Sequence, residues 1–103
     1  MLVNRRTFLV KPGKMEEVKG LIVDYAHERG LLSSGSDQRL STALVGPLDV
    51  LVLESDHENL AAFEQFWTEA FDHPGAEAFF QKWNTLIESG GTNEIWEVTR
   101  TMP

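Results

Sequence analysis

The sequence predicts an α+β fold in which helices gather on one face of a four-stranded antiparallel sheet. Three observations carry this. Four stretches rich in Val, Leu, Ile, Thr and aromatic residues read as strands bounded by Pro, Gly or Ser. Two regions carry apolar residues at spacings of three and four, the helical period. The segments follow one another as strand, helix, strand, strand, helix, strand, with the second helix broken near its middle.

Residues 2–10, LVNRRTFLV, alternate as Leu2, Asn4, Arg6, Phe8, Val10 against Val3, Arg5, Thr7, Leu9. Lys11-Pro12-Gly13-Lys14 stops the strand, because Pro12 lacks a backbone donor and Gly13 tolerates unusual dihedrals. The first helix is expected from about Lys14 to Arg29, with Met15, Val18, Leu21, Ile22, Tyr25 and Ala26 as its stripe and Gly30 as its C-terminal cap. Residues 31–37 read as a polar link, mobile at its Ser/Gly centre. Residues 38–45 and 50–54 form a hairpin across Gly46-Pro47-Leu48-Asp49, the second strand being apolar enough to be central.

The longest apolar region is 58–88, which holds seven of the ten aromatic residues: Phe63, Phe66, Trp67, Phe71, Phe79, Phe80 and Trp83. Ser55 and Glu58 fit a capping box at its start. One stripe is Leu60, Phe63, Trp67, Ala70, Phe71; the other is Ala76, Phe79, Phe80, Trp83, Leu86, Ile87. Between them lies Asp72-His73-Pro74-Gly75, where Asp72 or His73 would cap a helix with Pro74 at its first position. That helix is expected to end near Ser89-Gly90-Gly91, and 92–99 to form the last strand. The order βαββαβ is that of a ferredoxin-like fold. Apolar strand residues fall on both sheet faces, so a second sheet is expected over the first. An identical chain in a two-fold homodimer is its simplest source.

Size and charge narrow the function. At 103 residues, 1–103 is expected to be a single domain. A net charge of −7 and the scattering of nine Lys and Arg argue against nucleic acid and against anionic membranes as partners. With no Cys there is no disulfide, thiolate nucleophile or Cys-bound zinc. No apolar run reaches the ~18 residues of a membrane span, and MLVNRRTFLVKPG lacks a signal-peptide pattern, so a cytoplasmic location is expected. No phosphate loop, GxSxG or HxxxH pair occurs, and neither a metal nor a bound cofactor is expected.

RTFLVKPGKMEEV resembles the opening of NIPSNAP-like proteins of the dimeric α+β-barrel superfamily. ALVGPLDVLVLESDHENLAAFEQFWTEAFDHPGAEAFFQKW is similar to the same family, with Phe79 and Trp83 at a Phe-x-x-x-Trp spacing. The hairpin turn departs from it, since Pro47-Leu48-Asp49 lacks an aromatic residue. The resemblance implies a dimeric α+β barrel with a pocket between sheet and helices. It also implies a superfamily of cofactor-independent monooxygenases, isomerases, heme-degrading enzymes and proteins of unknown activity.

The residues then sort by what each offers. His73, beside Asp72, reads either as a proton acceptor or as a cap before Pro74. Arg6 reads either as the binder of an anionic or enolate oxygen or as a partner of Glu54, Glu94 or Glu97 across the sheet. Asn4, Tyr25, Phe63, Trp67 and Trp83 are the candidate walls of a site for a small hydrophobic ligand, or else core. His27 and His57 are expected in solvent. Three functions stay open: a cofactor-independent monooxygenase or isomerase acting on a small aromatic substrate, a non-catalytic binding or assembly protein, and a heme-binding protein.

Overall fold

A computed structural model describes residues 1–31 and 38–103. The elements are β1 (Leu2–Val10), α1 (Met15–Glu28), β2 (Gln38–Thr42), β3 (Val50–His57), α2 (Leu60–Asp72), α3 (Ala76–Leu86) and β4 (Ile87–Glu97). The sheet order is β2-β3-β1-β4 with every neighbouring pair antiparallel, the ferredoxin-like arrangement. The link expected at 31–37 falls, beyond Leu31, outside the described residues.

The strand register decides which side chains meet the helices. Arg6 lies opposite Leu53 and Phe8 opposite Leu51, while Asn4 faces Ser55 and Leu2 faces His57. Val10, Val18, Leu51 and Leu86 are almost wholly buried and form the core, so this face carries the helices. Burying each such side chain contributes roughly 1.5–3 kcal/mol. The opposite face carries Val3, Thr7, Leu9, Val50 and Val52 with a charged row. There Arg39 meets Asp56 through two hydrogen bonds of 3.0 and 2.9 Å.

Helix α1 ends as its sequence predicts. Gly30 takes a φ of 72°, its N–H donates to His27 O, and the N–H of Leu31 donates to Ala26 O. This is the paired closure that a C-terminal glycine permits.

Several boundaries differ from expectation, each for a local reason. Strand β3 runs on to His57, because residues 54–57 pair with β1. Ser55 therefore caps nothing; Asn59 does, accepting the Ala62 N–H at 2.9 Å. Strand β2 stops at Thr42 rather than 45, and Leu44, Val45 and Leu48 stand out in solvent. Helix α3 is capped by Gly75, not Asp72 or His73. It ends at Leu86, where Ile87 leaves its stripe to pair with Val10. Gly90-Gly91 does not end the helix but lies within β4, where the register with β1 shifts between Thr7 and Leu9. Gly90 has a φ of 106°, and a Cβ on Gly91 would sit 2.3 Å from Thr7 O, so the irregularity requires both glycines.

Candidate functional site

A cavity of about 90 Å³ lies between the sheet and the three helices. Arg6 and Phe8 reach it from β1, Tyr25 and Arg29 from the α1 end, Phe66 and Trp67 from α2, and Phe79 and Trp83 from α3. The helical spacing explains why these meet. Tyr25 is one turn beyond Ile22 on α1, and Phe79 and Trp83 are one turn apart on α3.

The aromatic rings close the wall by contact. Tyr25 stacks on Phe79 with centroids 4.3 Å apart, Phe79 on Trp83 at 5.7 Å, and Phe8 meets Trp83 edge-on at 4.8 Å. The Arg6 guanidinium then sits 4.4 Å from the Trp67 ring centroid and 5.5 Å from that of Phe8. Such contacts stabilise a cation by roughly 0.5–2 kcal/mol. They do not neutralise it.

Arg6 forms no salt bridge among the described residues, and its Nε is buried without a hydrogen-bond partner. Burial lowers the pKa of its guanidinium. In the register it is Arg5, not Arg6, that lies opposite Glu54 and Glu94. Glu97 lies opposite Leu2, and Glu54 instead approaches Arg39 at 3.7 Å. Arg29 is the second cation on the wall. Its guanidinium lies 5.0 Å from the Phe66 ring and 5.6 Å from Tyr25, and it donates to Phe66 O at 3.3 Å. Burial lowers its pKa too, opposed by Tyr25 and Glu69.

Tyr25 is fixed from both ends. Its hydroxyl donates to Ala70 O at 2.5 Å, and burial raises its pKa, with Arg29 opposing. Among the described residues, no carboxylate and no imidazole lines the cavity.

The remaining candidates divide. Trp67 and Trp83 line the cavity with Arg6 and Tyr25. Phe63 does not; it borders an open groove of about 460 Å³ next to the cavity, shared with Arg6, Trp67, Phe71 and Asn93. Asn4 is 1% exposed, and its Nδ2 donates to Asn93 Oδ1 at 2.7 Å and to Glu94 O at 2.9 Å. It lies outside both spaces. His73 meets Tyr25 edge-on at 5.5 Å but does not line the cavity. Its Nδ1 accepts the Gly75 N–H at 3.0 Å. That bond engages the free lone pair and leaves the proton of the neutral ring on Nε2, so His73 holds the helix junction as it stands.

His57 departs most from expectation. It is buried, not solvated: its Nε2 is 2.8 Å from Ser55 Oγ, and its ring packs edge-on against Phe63 and Phe66. Burial lowers its pKa, with Asp56 opposing. His27 is exposed on α1. Arg29 and Phe66 also line the cavity, and neither is among the residues the sequence singles out for it. Phe66 sits three residues after Phe63 and one before Trp67, and so belongs to the buried stripe; Leu60 and Phe71, assigned there, are more than half exposed.

No protein-family model matches the sequence, and no curated protein matches it. Solved structures do. The fold is that of a NIPSNAP domain protein from Burkholderia xenovorans, at 18% identity and a TM-score of 0.80, over 100% of this chain and 99% of the other. A NIPSNAP family protein from Agrobacterium tumefaciens matches at 21% identity and 0.81, over 100% and 92%. An antibiotic biosynthesis monooxygenase matches at 15% identity and 0.71, over 97% and 100%. The chain thus has the ferredoxin-like α+β fold of these solved structures.

Proposed function

We propose that the protein binds a small planar hydrophobic molecule as its anion between sheet and helices, and acts on it without a bound cofactor as a monooxygenase or isomerase. The observation that supports this is Arg6, a partly buried cation set among aromatic rings, with no salt bridge among the described residues and its Nε without a hydrogen-bond partner. Partial burial of a charge without a counter-charge is unfavourable; a ligand oxyanion would supply one. The same cation would favour the enolate or phenolate form of a weakly acidic ligand. With dioxygen as co-substrate, the enolate carbon forms a bond to one oxygen. Loss of the remaining proton on that carbon breaks the O–O bond, leaving a carbonyl on the ligand and the second oxygen as water. Reprotonation at a different carbon would instead give an isomer.

The reading extends to a homodimer through the sheet face away from the helices, where Trp96 is 58% exposed opposite Val3, and to a cytoplasmic location. No helix among the described residues is long and apolar enough to cross a membrane. Light scattering checks the dimer: twice the 11.6 kDa chain mass supports it, and a monomer at micromolar concentration contradicts it.

A second reading, binding without turnover, is supported by a cavity wall that, among the described residues, is aromatic and aliphatic apart from Arg6, Tyr25, Arg29 and Gln38. Oxygen uptake with a hydroxyanthrone separates the two. Uptake that saturates with substrate and falls on Arg6→Gln supports the enzyme. Saturable binding without uptake supports the binder. No binding contradicts both.

A further inference from the structure

The cavity is too small for the ligand its walls suit. An engineered apolar cavity of about 150 Å³ holds benzene, whereas this one measures about 90 Å³. The open groove beside it measures about 460 Å³. Two residues, Arg6 and Trp67, line both spaces, and their side chains are stacked on each other at 4.4 Å.

We propose that cavity and groove are two halves of one site, that the Arg6–Trp67 stack is the movable wall between them, and that the occupant is a planar aromatic monoanion of two or more fused rings. This rests on the cavity being a ligand site, the reading given above, and adds its size, charge and route of access.

The reasons are steric and electrostatic. Arg6 is anchored on central strand β1, so its position is set by pairing on both sides. Trp67 is on α2, which follows the Asn59 cap and ends at the His73 junction. Its ring is only partly buried and borders the groove, where Phe71 lies 6.2 Å away. Rotating it toward Phe71 would join the two spaces and uncover the guanidinium. A carboxylate or phenolate oxygen would then reach Arg6, while the rings take the place of Trp67 in its stack and extend from the cavity to Phe63 in the groove. Asn93, opposite Arg6 in the register, offers an amide edge to the same oxygen. Glu64 is exposed on the groove wall, and its charge disfavours a second anionic group at the outer end of the ligand. This is why the occupant is a monoanion.

The test is a titration of isotope-labelled full-length protein with 2-naphthoate, following backbone amides and Trp indole signals. Benzoate, 2-naphthamide and 2,6-naphthalenedicarboxylate serve as controls. The expected result is saturable binding that shifts Thr68 and Asn93 on the groove side, Ala26 and Phe79 on the cavity side, and the Trp67 indole. Naphthamide and the dicarboxylate bind at least about tenfold more weakly, the size of effect expected for a charge-assisted hydrogen bond. Arg6→Gln loses binding by a similar factor and Arg6→Lys by less, with unchanged amide dispersion showing that both fold. Shifts confined to the cavity, with Trp67 unmoved, overturn the movable wall but leave the cavity reading intact. Shifts confined to the groove overturn both, as does the absence of saturable binding. Equal affinity for naphthoate and naphthamide overturns the anion requirement.

Discussion

The helix-facing side of the sheet has two ends built on opposite principles. At one end Val10 and Leu51 pack against Val18 and Leu86, all four at most 2% exposed. At the other, the same two strands present Asn4, Arg6, Ser55 and His57 to the same layer of helices. Two of the side-chain atoms there, Asn4 Oδ1 and Arg6 Nε, are buried without a partner. One end is optimised for burial and the other is not. An apolar residue at Arg6 would avoid the cost of desolvating a cation, so the proposed ligand role predicts that the polar end contributes less to stability than the apolar end.

That contrast can be broken by mutation. The largest stability effect is expected at the apolar end. Leu51→Ala leaves a hole among Val10, Val18 and Leu86 and should cost about 2–5 kcal/mol in urea unfolding. At the cavity end Tyr25→Phe removes the hydroxyl that joins α1 to Ala70 O of α2. Leaving that buried carbonyl without its donor should cost about 1–3 kcal/mol. A Tyr25→Phe variant as stable as the parent would show that the two helices are held by ring stacking alone.

The pH dependence should be smaller and confined to the polar end. His57 is held below its ordinary value of 6.5 by burial, so the folded state keeps it neutral while the unfolded chain takes up a proton. Stability should therefore be full above about pH 6.5 and fall as the pH drops below it. The urea midpoint of the parent, measured relative to His57→Gln, should be constant above about pH 6.5 and drop as the pH falls below it. Parallel curves would show that His57 is not the group responsible.

The fold was legible because it depends on periodicity. Alternation located β1 and its two faces, and the Gly30 cap located the end of α1. The errors arose where tertiary pairing overrode local signals. Ser55 and Glu58 spell a capping box, but pairing with β1 carried the strand to His57. Gly90-Gly91 spells a helix end, but it serves an irregular strand. For the site, Arg6, Tyr25, Trp67 and Trp83 could be named because large or charged residues stood on inward faces. Phe66 and Arg29 were hidden: the first by a choice of stripe one position away, the second by its place at a helix end, where a cation is expected for the dipole alone. His57 lies beyond the strand end expected at residue 54, and only the pairing of residues 54–57 with β1 buries it.

The measurement that bears most directly on the account is the pair of values, urea midpoint and 2-naphthoate affinity, for Arg6→Met against the parent chain. If Arg6 is kept for a ligand, the variant should be as stable as the parent or more so, with binding reduced at least about tenfold. A midpoint that falls as far as that of Leu51→Ala, with affinity unchanged, would make Arg6 a structural residue and contradict the account.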